Sequence, residues 1–103
     1  MRPFTKSMLA ATAIILGTAP LAFAYDGQAL AGSAKISMDQ AQSLAHKAQP
    51  GKIVGRELEK EKGGSGLRYS FDVKTSSGKT HEVGIDAETG KLLENSVEGA
   101  HAD

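Results

Sequence analysis

Between Leu67 and Thr75 the chain reads LRYSFDVKT, and Leu67, Tyr69, Phe71 and Val73 alternate without a break with Arg68, Ser70, Asp72 and Lys74. A period of two puts every apolar side chain on one side of an extended strand and every polar one on the other. This segment commits the chain to a sheet with one apolar and one polar face. The rest of the sequence must supply the neighbouring strands and a cover for the apolar side.

The neighbours follow in order. Ile53 to Glu61 (IVGRELEKE) reads as a strand with Val54 and Leu58 on one side and Glu57, Glu59 and Glu61 on the other. Gly63-Gly64-Ser65-Gly66 is a loop tip, and Ser76-Ser77-Gly78 is a turn. Thr80 to Asp86 carries Val83 and Ile85 on one face. In the turn Asp86-Ala87-Glu88-Thr89-Gly90, Asp86 is suited to bond the backbone two residues on and Gly90 to take positive φ. Lys91-Leu92-Leu93 is a short last strand. Short links between successive strands imply an antiparallel meander of three to four strands.

The cover is a helix ahead of the strands. Ser37 and Gln40 have the spacing of a capping box, and Asp39 suits the positive end of the helix dipole. Met38, Ala41, Leu44, Ala45 and Ala48 form one stripe, while Asp39, Ser43, His46 and Lys47 fall opposite. Pro50-Gly51 ends the helix. The expected fold is α+β, one N-terminal helix packed on the meander, with Tyr69 and Phe71 in the core between the layers.

Residues 1–24 stand apart. Arg2 and Lys6 precede the uncharged run Met8 to Leu16, Gly17 and Pro20 follow, and Ala22-Phe23-Ala24 offers small residues at its two ends. This is the layout of a secretory signal peptide, with cleavage expected between Ala24 and Tyr25. The apolar run falls short of the roughly 20 residues a spanning helix needs. No second such run exists, so no stable membrane insertion is expected after cleavage. The remaining divisions are a flexible lead-in over 25–35, the folded domain over 36–93 and a flexible tail over 94–103. No Cys is present, so there is no lipid attachment site and no disulfide. The expected compartment is the periplasm, with secretion past a single membrane as the alternative. Without Arg2 and Lys6 the 12 bases fall to 10 against 12 acids, a net of −2. That charge, with both domain aromatics assigned to the core, argues against nucleic acid as a partner.

The order of elements, with Tyr69-Ser70-Phe71-Asp72-Val73, Glu82-Val83 and above all Asp86-Ala87-Glu88-Thr89-Gly90-Lys91-Leu92, resembles the PepSY domain family over Ile36 to Leu93. The resemblance implies a helix on an antiparallel sheet and a non-enzymatic role, in which such domains bind and restrain peptidases. It carries over no catalytic residue and no cofactor. The implied partner is an envelope protein, a peptidase among the candidates.

Fragments that suggest other chemistry fail on spacing. His81-Glu82 starts like a zinc-protease motif, but Ile85 stands where the second His belongs. Gly78-Lys79-Thr80 ends like a phosphate loop, but Val73 stands where its first Gly belongs. Lys91 occupies the position at which a calcium loop starting from Asp86 needs Gly. Ser65 lacks the spacing of a nucleophile elbow. His46, His81 and His101 share no ligand spacing, and no metal or cofactor is expected. Two further readings stay open. One is a small-ligand or metal-cation sensor that uses the histidines and the acidic face of Glu57, Glu59, Glu61, Glu82 and Asp86, with Arg68 and Lys74 interleaved. The other is a self-associating structural subunit that hides a sheet edge. The residues leave the oligomeric state open.

Overall fold

The helix starts at its capping box. In the computed structural model, which describes residues 24–99, the Ser37 hydroxyl accepts the Gln40 N–H at 3.1 Å. The Gln40 side chain accepts the Ser37 N–H at 2.8 Å. These bonds satisfy donors that a first helical turn leaves without partners. Helix α1 runs Met38–Ala48, with Gln49 as its C-cap immediately before Pro50. Met38, Ala41 and Ala45 are buried, and Leu44 packs against them from the side. Small alanine side chains let the helix backbone settle close to the sheet.

Four strands follow: β1 Lys52–Lys60, β2 Leu67–Lys74, β3 Thr80–Asp86 and β4 Leu92–Val97. They pair antiparallel in the order β1-β2-β3-β4. The fold is the expected α+β meander under one helix. Tyr69 stands opposite Leu58 on one side and Ile85 on the other, and Phe71 stands opposite Val83. All five are closed to water, together with Val73 and Ala87. Each large side chain so buried contributes about 1.5–3 kcal/mol. The Tyr69 hydroxyl donates to the Ile36 carbonyl at 2.7 Å, so the one polar atom of that buried ring has a partner.

Three stretches differ from the sequence expectation. In β1, Ile53 pairs with Val73 and Gly55 with Asp72, which leaves Val54 as the extra residue of a bulge. The bulge reverses the parity expected there. Ile53 packs against the core, and Val54 is 53% exposed. Leu58 keeps the expected face because it lies beyond the bulge.

The stretch expected as a flexible lead-in holds a 3-10 helix, Gln28–Ser33, so α1 is not the first element. Just before it Asp26 forms a parallel bridge to Glu57, with the Leu58 N–H donating to the Asp26 carbonyl at 2.9 Å. Tyr25 and Leu30 pack against the core. Gly and Ala dominate this segment, so no periodicity announces it. The last strand, expected to stop at Leu93, continues to Val97, and the Glu98 N–H still donates to the Thr80 carbonyl at 2.7 Å. Asn95 and Ser96 are poor strand formers, but the open edge of β3 offers backbone partners along its whole length.

Candidate functional site

The polar face of the sheet is built from alternate residues of each strand. Register places Glu57 and Glu59 of β1 beside Ser70 and Arg68 of β2. It places Glu82, Gly84 and Asp86 of β3 beside Asp72, Ser70 and Arg68, and Glu94 and Ser96 of β4 on the far side. Arg68, expected on a solvated charged face, is only 7% exposed. Its guanidinium reaches across Gly84: Nη1 donates to Glu94 Oε1 at 3.2 Å and Nη2 to the Lys62 carbonyl at 3.0 Å. A Cβ on Gly84 would stand 3.0 Å from Nη1, so the missing side chain makes room for the arginine. Glu61 lies 3.9 Å from Nε, and Nε itself is buried without a hydrogen bond.

One end of this face is tied down by Asp86, which is 1% exposed. Its Oδ1 accepts the N–H groups of Glu88 at 2.7 Å and Thr89 at 3.0 Å and the Ser65 hydroxyl at 2.9 Å. Its Oδ2 accepts the Ser65 N–H at 2.6 Å. The carboxylate therefore closes its own turn and also pins the glycine-rich β1–β2 loop to it. Burial alone would raise this carboxyl. The bonds from Ser65, Glu88 and Thr89 outweigh that and hold it at about 2, against an ordinary 3.8. Gly90 completes the turn with φ +80, and its N–H donates to the Asp86 carbonyl at 2.9 Å.

The opposite edge carries a carboxyl pair. A hydrogen bond with Glu59 raises the Glu57 carboxyl, burial adds to the effect, and the charges of Glu59, Asp26 and Asp72 push the same way, to about 7. Glu59 goes the other way. Its burial is overcome by hydrogen bonds from Glu57, from the Ser70 hydroxyl at 2.7 Å and from Glu61, and by the Arg68 charge. Glu82 is raised by burial and then by the charges of Glu94, Asp72, Glu98 and Glu59. The face is thus a crowded acidic surface with one buried cation at its centre.

Residues 35–95 match the sequence profile of the PepSY family, described as peptidase propeptide and YPEB domain. The chain belongs to the PepSY family. No curated protein and no solved structure shows significant similarity to it. The PepSY match spans α1 and all four strands up to Asn95, so it covers both the Asp86 turn and the acidic face.

In this PepSY domain the remaining residues singled out from sequence are dispersed. His46 is exposed on α1, His81 bonds Asn95 Oδ1 through Nδ1 at 2.9 Å, and His101 lies outside the described residues. Among the described residues no group of three or more His, Cys, Asp or Glu side chains is placed to hold a metal ion. The Ser65 hydroxyl is engaged with Asp86 and lies 3.4 Å from the Leu67 carbonyl. The signal peptide expected over 1–24 lies outside the described residues except for Ala24, which is exposed. Tyr25, on the other side of the expected cut, is half-buried. Sequence reasoning missed the burial of Arg68 and the role of Ser65. The first had a readable signal: a glycine inside the strand THEVGID marks close approach by another group. Ser65 had none, because only the tertiary fold brings the loop tip to Asp86.

Proposed function

We propose that this chain is a non-enzymatic binding module of the bacterial envelope, exported to the periplasm, that engages or restrains a peptidase or another envelope protein. The observation that carries this reading is the PepSY match over the folded segment 35–95, in a family described by its peptidase propeptides. Two surface features support it. The polar face gathers Glu57, Glu59, Asp72, Glu82 and Glu94 around one buried arginine, which suits recognition of a basic protein surface. The outer edge of β4, beside a Leu92 that is 47% exposed, offers backbone groups to an extended segment. No helix among the described residues is long and apolar enough to cross a membrane.

Crosslinking in the native envelope followed by mass spectrometry tests the proposal, together with peptidase assays in the presence of added protein. A reproducible partner, or a peptidase whose rate falls, supports it. No partner and no altered peptidase overturn it. The same β4 edge favours a second reading, self-association through paired β4 strands. Light scattering over a range of concentrations separates the two, since a constant monomer mass removes self-association.

A further inference from the structure

The two edges of the sheet are not equivalent. The outer edge of β1 is closed by the chain itself. Asp26 forms a parallel bridge to Glu57, the Leu58 N–H donates to the Asp26 carbonyl at 2.9 Å, and the 3-10 helix Gln28–Ser33 packs beside the strand. The approach is so close that a Cβ on Gly27 would overlap the Leu58 carbonyl. Toward the other end the bulge at Val54 breaks the ladder, and Lys52 and Lys60 stand at the strand's two ends. Bulges, lysines and covering segments all keep a strand edge from pairing.

From Glu94 to Val97, β4 has none of these. Its irregularity lies earlier, where Leu93 is skipped between Leu92 and Glu94, and the strand LLENSV holds no proline and no lysine. No strand of the described residues lies beyond it. The Glu98 N–H donates inward to the Thr80 carbonyl at 2.7 Å. In an antiparallel ladder, residues that bond inward alternate with residues whose N–H and C=O point away. By that alternation Ser96 and Glu94 bond to β3, and Asn95 and Val97 turn both backbone groups outward.

The surroundings select what can pair there. On the polar face Glu82 stands beside Ser96, close enough to Glu94, Asp72 and Glu98 to feel all three charges. Arg68 takes one oxygen of Glu94, but among the described residues no cation pairs with Glu82 or Glu98. Lys79 and Lys91 lie beyond the ends of β3 and β4. On the helix face, Leu92 is 47% exposed and Val97 is half-buried. The edge is thus acidic on one side and apolar on the other. A second copy would set two acidic faces side by side.

We infer that the outward groups of Asn95 and Val97 take an extended segment of a partner protein as an added strand. That segment carries Lys or Arg at alternate positions over the acids and apolar residues between them over Leu92 and Val97. The inference rests on the chain being a binding module, and fixes which edge it uses and what it recognises.

Amide NMR on the protein as isolated after expression tests this with a capped eight-residue peptide of alternating lysine and valine. Shifts and gained exchange protection are expected at Asn95 and Val97, with Leu58 unchanged. A peptide of alternating glutamate and valine should bind at least tenfold more weakly. The lysine peptide N-methylated at every residue should not bind. Val97→Pro removes one outward donor from an edge strand, a place that tolerates proline, and should weaken binding at least tenfold. Glu82→Gln combined with Glu98→Gln should weaken it about fivefold and flatten its salt dependence. Absence of binding, shifts confined to β1, equal affinity for the lysine and glutamate peptides, or a dimer that protects Asn95 and Val97 without peptide overturns the inference. The broader reading fails separately: an envelope partner that crosslinks to Val97→Pro as well as to the parent chain overturns the β4 assignment and leaves the binding module standing. If Val97→Pro does not fold, the N-methylated peptide decides.

Discussion

Asp86 is the residue on which most depends, because three backbone N–H groups and one hydroxyl converge on its carboxylate. Asp86→Ala strands those donors in a closed site, and a loss of about 3 kcal/mol is expected in urea unfolding. Its acid dependence has a definite sign. The folded carboxyl sits at about 2 and the unfolded one at 3.8. The stabilisation is therefore complete above pH 3.8 and disappears as pH falls through 2. This accounts for about 2 kcal/mol of acid sensitivity that Asp86→Asn should abolish. Gly84 shows the same dependence on a single position. A valine there collides with the Arg68 guanidinium, so Gly84→Val should cost about 1–3 kcal/mol, although valine is the better strand former. An unchanged urea midpoint would show that Arg68 can move aside at no cost. Asp86 was legible as a turn residue from its spacing to Gly90. Its hold on Ser65 was not, because 21 residues separate the two in the chain.

Among the elements, β1 departs furthest from its pattern. Simple alternation puts Val54 and Leu58 on one face, and the bulge hands that role to Ile53. The consequence is an inverted pair of mutants. Val54→Ser should change stability by no more than about 0.5 kcal/mol, whereas Ile53→Ala should cost about 1–2 kcal/mol. Thermal unfolding of the two side by side distinguishes the bulged register from the regular one. A bulge escapes sequence reading because nothing in the residues IVGRELEKE says which one the partner strand will skip. The helix was legible in full, since capping box, apolar stripe and terminal proline are all local signals. So was β2, whose unbroken alternation needs no partner to interpret. β4 was legible only in part: Leu92 and Leu93 declare themselves, whereas Asn95 and Ser96 become strand because β3 is there to pair with them.

Across the whole molecule, the two ends of the polar face respond to pH in opposite directions. Asp86 loses its contribution in acid. Glu57, raised from 4.5 to about 7, and Glu82, raised as well, favour the fold while protonated, and their contribution is lost as pH rises through the folded values. Glu59, held low, offsets part of that loss. Stability should therefore peak near pH 4–5 and decline on both sides, a profile that urea midpoints from pH 2 to pH 8 would trace. Glu57→Gln should make the upper limb shallower, leaving the part due to Glu82, and leave the lower limb intact. A single maximum at pH 7 or above would contradict the carboxyl crowding described for this face.

By itself the sequence determined the kinds of element, their order and which side of most of them is apolar. These follow from forces acting over a few neighbouring residues: side-chain period, cap hydrogen bonds and turn conformation. It also carried enough of the family pattern to place the chain among PepSY domains. The tertiary structure decided which residues meet. The bulge at Val54, the arginine laid over Gly84, the Ser65–Asp86 clasp and the Asp26–Glu57–Glu59 cluster all join positions remote in the chain. Each depends on cross-strand register, and register is settled only when the strands bury their common face.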